Sequence, residues 1–196
     1  MYLKRNIEKE IIEASSEFAC ITIYGSRQVG KSTVVDHLFD SKLDSVTLDD
    51  ISTRDYALKD PKGFLDFYST PLIIDEIQKA PSLIEEIKIK VDREKKEALN
   101  NDRKVKLLYI LTGSNQFELQ EAISESLAGR TAILNMVSLS FSEIYKYDSS
   151  NEFNPDIKVL REKEKQFNTK FRSRREIFDD IFKGGMPDYI INNIES

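Results

Sequence analysis

The residues best suited to chemistry stand in GSRQVGKS, Gly25 to Ser32, where two glycines five positions apart are followed by Lys31 and Ser32. This is the P-loop spacing. Glycines let backbone N–H groups curl around phosphate oxygens, and a helix that starts there points its positive end at them. Lys31 is placed to reach the outer phosphates, and the Ser32 hydroxyl suits Mg²⁺. The contact surface expected for a nucleoside triphosphate is therefore Gly25, Ser26, Arg27, Gln28, Val29, Gly30, Lys31, Ser32 and Thr33.

A second constellation stands where the first requires one. PLIIDEIQ, Pro71 to Gln78, ends an apolar run on two adjacent acids. A strand of this kind leaves Asp75 at the carboxyl edge of a parallel sheet, where ligands bind. Asp75 is then the second Mg²⁺ residue, acting through water, and Glu76 the group that orients and polarises an attacking water. The plainer reading is that both acids merely end a strand or cap the next helix; the P-loop upstream favours the functional one.

TGSN, Thr112 to Asn115, closes another apolar run with small polar groups. Ser114 or Asn115 could hydrogen-bond the terminal phosphate or the water, and Asn115 is preferred; a helix N-cap would use the same residue types. In SLAGR, Ser126 to Arg130, the arginine follows a glycine that ends a helix. Two readings of Arg130 stand side by side. It either reaches a phosphate in a neighbouring subunit or is a surface cation beside a helix C-terminus. His37 has no histidine or cysteine cluster to join, so no zinc site is expected.

These groups need elements to hold them. Residues 4–17 show helical periodicity; FACITIY, 18–24, reads as a strand buried on both faces; and 31–39 returns to a helix. The alternation continues with strands at 45–48, 71–75, 106–112 and 131–139 and helices at 53–68, 82–100 and 118–128. Strands alternating with helices predict a mainly parallel α/β sheet covered on both faces. A polar, turn-rich stretch at 148–156 reads as a linker. A charged helical region runs on to Phe182, and KGGMPD, 183–188, reads as a sharp turn with Pro187 blocking helix. The expected division is a core over 1–147 and a linker with a small helical lid over 148–196.

Composition sets the outer bounds. With 196 residues and 40% apolar content, one core of good size is expected. The net charge of −5 gives no global reason to expect nucleic acid. The segment Lys158 to Arg175 nonetheless holds eight basic and two acidic residues, read either as a solvated helix face or as a contact for phosphates or an acidic partner. Cys20 is the single cysteine, so no intrachain disulfide is possible, and its apolar setting makes it a buried thiol. Apolar runs are strand-sized and the N-terminus has no signal-like apolar stretch, so no membrane contact and a cytoplasmic location are expected.

With GSRQVGKST, IDEIQ, TGSN, SLAGR and GGMP in place, residues 5–190 resemble the prokaryotic predicted ATPases of the AAA+ superfamily. The similar branch carries a GPRQVGKTT-like P-loop, LDEIQ, TGS, SLAGR and a GGYP-like turn. The resemblance implies a five-stranded sheet in the order 5-1-4-3-2 with a helical lid. It also implies Asn115 as sensor residue and Arg130 as arginine finger, hence a homo-oligomer. Ser26 replaces a proline frequent in the family. Members usually continue into a C-terminal domain, so a chain ending at Ser196 is expected to be a shortened one, and any DNA or protein partner of that domain is not legible here. The leading expectation is Mg²⁺-dependent ATP hydrolysis that drives motion, with closure of the region from Lys158 to Asp188. The alternative is a nucleotide-dependent switch, or a DNA- or protein-binding module with little turnover. A GTPase would need an Asn-Lys-x-Asp segment, which the sequence lacks, and a small-molecule kinase an acceptor pocket that nothing suggests.

Overall fold

A computed structural model describes residues 2–39, 43–114, 123, 126–146, 155–168 and 173–192. The chain divides into two compact units, residues 4–138, and residues 1–3 with 139–196.

In the first unit, five strands form one sheet: β1 (Cys20–Tyr24), β2 (Asp44–Thr47), β3 (Leu72–Asp75), β4 (Tyr109–Gly113) and β5 (Thr131–Asn135). Their spatial order is β2-β3-β4-β1-β5 and every pairing is parallel. This is the order the family resemblance implies. Helix α1 (Glu8–Glu17) precedes β1, and between the strands run α2 (Lys31–Phe39), α3 (Ile51–Lys59), α4 (Pro61–Phe67) and α5 (Ser82–Asn100).

The pleat explains the layers. Alternate residues on the central strands, Cys20, Leu72, Ile74, Tyr109 and Leu111, share a core with Phe64 of α4 and Leu83, Ile87 and Val91 of α5. The intervening Ile21, Ile23 and Ile110 are fully buried on the other face, where α1 lies against β1, β5 and α2. With both faces covered, β1 has no polar stripe: Cys20 to Ile23 are all inaccessible. Burial pushes the Cys20 thiol up to about 12, so it stays protonated and unreactive.

Element ends differ from the sequence expectation where side chains intervene. Helix α1 begins at Glu8 rather than near residue 4, because the Glu8 carboxylate accepts the Arg5 backbone N–H at 2.6 Å. The helical stretch expected over 53–68 breaks at Pro61, with Asp60 capping α4 through Gly63 N–H at 2.9 Å. Strand β4 starts at Tyr109, not Lys106, whose N–H is taken by Glu94 of α5 at 2.7 Å. Strand β5 ends at Asn135 rather than continuing to Leu139. The helix expected over 118–128 lies largely outside the described residues.

The second unit contains α6 (Phe141–Tyr145), α7 (Ile157–Asn168), α8 (Arg174–Lys183) and α9 (Pro187–Asn192). Capping boxes start two of these, Ser140 with Glu143 and Ser173 with Glu176. Pro187 corrects the sequence reading. It opens α9 instead of blocking helix, because a proline at the first helical position gives up an N–H that has no partner there anyway.

Candidate functional site

Strand β1 runs out at Tyr24 into the loop that leads to α2. Gly25 is required by crowding: a Cβ there would stand 2.0 Å from the carbonyl oxygen of Met136, the residue after β5. Gln28 and Gly30 both have left-handed backbone, with φ of 63° and 94°, and such reversals turn successive N–H groups into an anion-binding concavity. Ser26, Arg27 and Gln28 are exposed, whereas Val29 is buried and anchors the loop. Helix α2 starts directly at Lys31, so its positive end faces the same concavity. Ser32 and Thr33 are exposed on its first turn.

Lys31 is only 7% exposed, and its ammonium donates to the carbonyls of Gly25 and Ser26, both at 3.0 Å. The loop thus curls around its own lysine. Burial pushes the Lys31 pKa below its ordinary value, while the carboxylates of Glu76 and Asp75 pull it back up. Asp75 ends β3 and Glu76 directly follows it.

Parallel register brings Asp75 to the P-loop. Asp75 is the last residue of β3, and Ile74 lies opposite Leu111 of β4, so Thr112 comes alongside and its hydroxyl donates to Asp75 Oδ1. The other oxygen, Oδ2, faces the Ser32 hydroxyl at 3.4 Å. A serine hydroxyl and a carboxylate converging in this way fit a Mg²⁺ ion that takes its other ligands from phosphate and water. Among the described residues, no group of three or more His, Cys, Asp or Glu is placed to hold a metal without such help.

Glu76 leaves the strand in a left-handed conformation, φ 56°, and starts the 3-10 turn Ile77–Lys79. A carboxylate side chain in that region is held there by its surroundings. Its Oε2 accepts from the Ser114 hydroxyl at 2.9 Å and from the Gln78 side-chain amide. Ser114, which the sequence offered beside Asn115, therefore touches Glu76. Asn115 itself lies outside the described residues.

Arg130 is held on α5. Its Nε and one terminal nitrogen donate to the two oxygens of Asp92, at 2.6 and 3.1 Å, in a forked ion pair. Both side chains are partly exposed. The same contact holds the Asp92 carboxyl below its ordinary range. Lys31, Ser32, Asp75 and Glu76 are thus brought together, while Arg130 is engaged by an acid of its own chain.

Sequence reasoning missed four participants: Thr112 and Gln78, which bond the acids, Asp92, which bonds Arg130, and Arg5, whose guanidinium reaches the P-loop backbone. Thr112 and Gln78 had a readable signal, Gln78 as the last residue of IDEIQ. Thr112 stands in the TGSN segment, and strand pairing places it next to Asp75.

A family model described as an AAA domain matches residues 17–145. No curated protein matches the sequence. Among solved structures, the Walker-type ATPase PABY2304 of Pyrococcus abyssi is similar at TM-score 0.56 and 14% identity, over 97% of this chain and 66% of the other. At that identity the likeness bears on the fold, and this chain spans 66% of that protein's length.

Proposed function

We propose, from the premise that the chain belongs to the AAA domain family matched over residues 17–145, that it binds ATP with Mg²⁺ and hydrolyses it, slowly as an isolated subunit. One observation carries this reading: the buried Lys31, Ser32 and the adjacent acids Asp75 and Glu76 meet at one carboxyl edge of the sheet.

In this reading the loop from Gly25 to Thr33 cradles the phosphates, Lys31 neutralises the outer ones, and Ser32 and Asp75 hold Mg²⁺. When bound, the ion would neutralise negative charge on the phosphates. Glu76 is the water-orienting base. Its Oε2 is occupied by Ser114 and Gln78, which leaves Oε1 to take the attacking water's proton as the bond to the γ-phosphorus forms and the bond from that phosphorus to the bridging oxygen breaks, with ADP as the leaving group. Asn115 remains the candidate sensor of the terminal phosphate. Arg130 is the candidate finger for a neighbouring subunit, an arrangement that requires a homo-oligomer. Its pairing with Asp92 supports slow turnover before assembly. The core is assigned to 1–147 and the linker and lid to 148–196. Motion is the output, delivered to a DNA or protein partner in a cytoplasmic setting.

The test is Mg²⁺-dependent ATP hydrolysis across a range of protein concentrations for wild type, Glu76→Gln and Arg130→Ala, with nucleotide binding followed in parallel. Specific activity that rises with concentration, and that both substitutions remove while ATP is still bound, is the expected result. ATP binding with no turnover above background in any variant would replace hydrolysis with the switch reading.

A further inference from the structure

Arg5 is a charged residue only 6% exposed, and its guanidinium ends on two main-chain carbonyls from distant parts of the chain. One terminal nitrogen donates to Val29 of the P-loop and the other to Val137, beyond β5, each at 2.7 Å. We infer that Arg5 is a positioning residue for nucleotide phosphates: it fixes the P-loop peptide between Val29 and Gly30 in its phosphate-binding orientation. The inference rests on the nucleotide reading above and deepens it.

Peptide geometry supplies the reason. In a planar trans peptide the C=O and the following N–H point in opposite directions. Holding the Val29 carbonyl toward Arg5 therefore turns the Gly30 N–H away from Arg5, to the concave side of the loop. This peptide needs holding because it lies between two left-handed residues, Gln28 at φ 63° and Gly30 at φ 94°. Glycine at the second position adds freedom that something else must remove.

The strut is braced at both ends. The Arg5 backbone N–H is bound by the buried Glu8 carboxylate at 2.6 Å. Val137 follows Met136, whose N–H continues the β5 to β1 pairing by donating to Tyr24 at 2.8 Å. The arginine therefore references the phosphate loop to the sheet itself. A guanidinium nitrogen also lies 3.6 Å from where a Gly30 Cβ would stand, so a buried positive charge sits directly behind the anion site, where little water screens it. Lysine reproduces this poorly, because its donors radiate from a single nitrogen on a shorter side chain, whereas two separate guanidinium nitrogens meet the two carbonyls.

The experiment measures equilibrium binding of a fluorescent ATP analogue and a fluorescent ADP analogue, each with Mg²⁺. It is run well below the melting transition on wild type, Lys31→Ala, Arg5→Gln, Arg5→Lys and Arg103→Gln. Arg103 serves as a stability control because it pairs with Glu94 at the far end of α5. Arg5→Gln is expected to weaken ATP and ADP alike, by about tenfold or more, since a hydrogen bond to a charged group is removed from the loop. Arg5→Lys keeps the charge and loses the bridge, and recovers only part of the affinity. Arg103→Gln lowers the melting temperature and leaves both affinities at the wild-type value. Affinities of Arg5→Gln within twofold of wild type overturn the inference and leave the nucleotide site standing. If Arg5→Gln does not fold, wild-type affinity in Arg5→Lys overturns it instead. Wild-type binding that is undetectable, or indifferent to Lys31→Ala, overturns the nucleotide reading and this inference together.

Discussion

The sheet unit and the helical unit handle apolar residues in opposite ways. In β1 every residue from Cys20 to Ile23 is fully buried. On α8, Ile177, Phe178, Ile181 and Phe182 are between 46% and 83% exposed, and none of the helix's residues is buried. Both segments are rich in large apolar side chains, so hydrophobicity alone does not separate them. In the first unit the strands are fixed by partners far along the chain, and the apolar residues of the central strands are buried on both faces of the sheet. In the second, capping boxes at Ser140 and Ser173 start two of the described helices, and single hydrogen bonds join distant positions, the Tyr145 hydroxyl on Asp180 at 2.8 Å and the Leu139 N–H on Gly185 at 2.7 Å.

The contrast breaks or sharpens under substitution. Leu111→Ala, in the middle of β4, is expected to cost ~2–5 kcal/mol, because truncating a buried leucine loses transfer energy and leaves a cavity. Chemical denaturation with a shared midpoint for all probes of the sheet checks it.

Glu94→Gln comes next. Glu94 is buried on α5, where it accepts a fork from Arg103 and the Lys106 N–H at 2.7 Å, which ties the end of the helix to the start of β4. These bonds hold the Glu94 carboxyl below its ordinary 4.5. A carboxylate depressed in the folded state stabilises above its unfolded pKa, and that stabilisation is lost as pH falls through the lower folded value. The variant is therefore expected to be about 1–2 kcal/mol less stable at neutral pH, with the gap to wild type closing as pH drops below 4.5. Paired denaturation curves at pH 7 and in the acid range decide this.

The smallest effect is expected on α8. Phe182→Ser, at a position 83% exposed, should change stability by no more than about 0.5 kcal/mol. A loss comparable to Leu111→Ala would mean that the apolar stripe of α8 is covered in solution, and the contrast between the units would fall.

The same contrast explains what the sequence made legible. The P-loop, the acidic end of β3 and the full span of α5 are local patterns, visible in windows of eight to twenty residues. Strand order came through the family resemblance and not from spacing. Strand ends were missed where one side chain captured a backbone N–H, as Glu94 does at Lys106. Arg5 was unreadable for a different reason: its second acceptor lies 132 positions away, and nothing near residue 5 announces it. Arg130 was visible as a cation after Gly129, but its pairing with Asp92 depends on how α5 lies against the start of β5.

The crowding at Gly25 bears on how the loop should be disabled in living cells. The carbonyl of Met136 occupies the space any side chain at position 25 would need, so a Gly25 replacement displaces the chain leaving the sheet as well as the phosphate cradle. A lost phenotype in such a strain confounds missing protein with missing nucleotide use. Lys31→Ala deletes a donor without adding an atom, which makes it the cleaner genetic instrument.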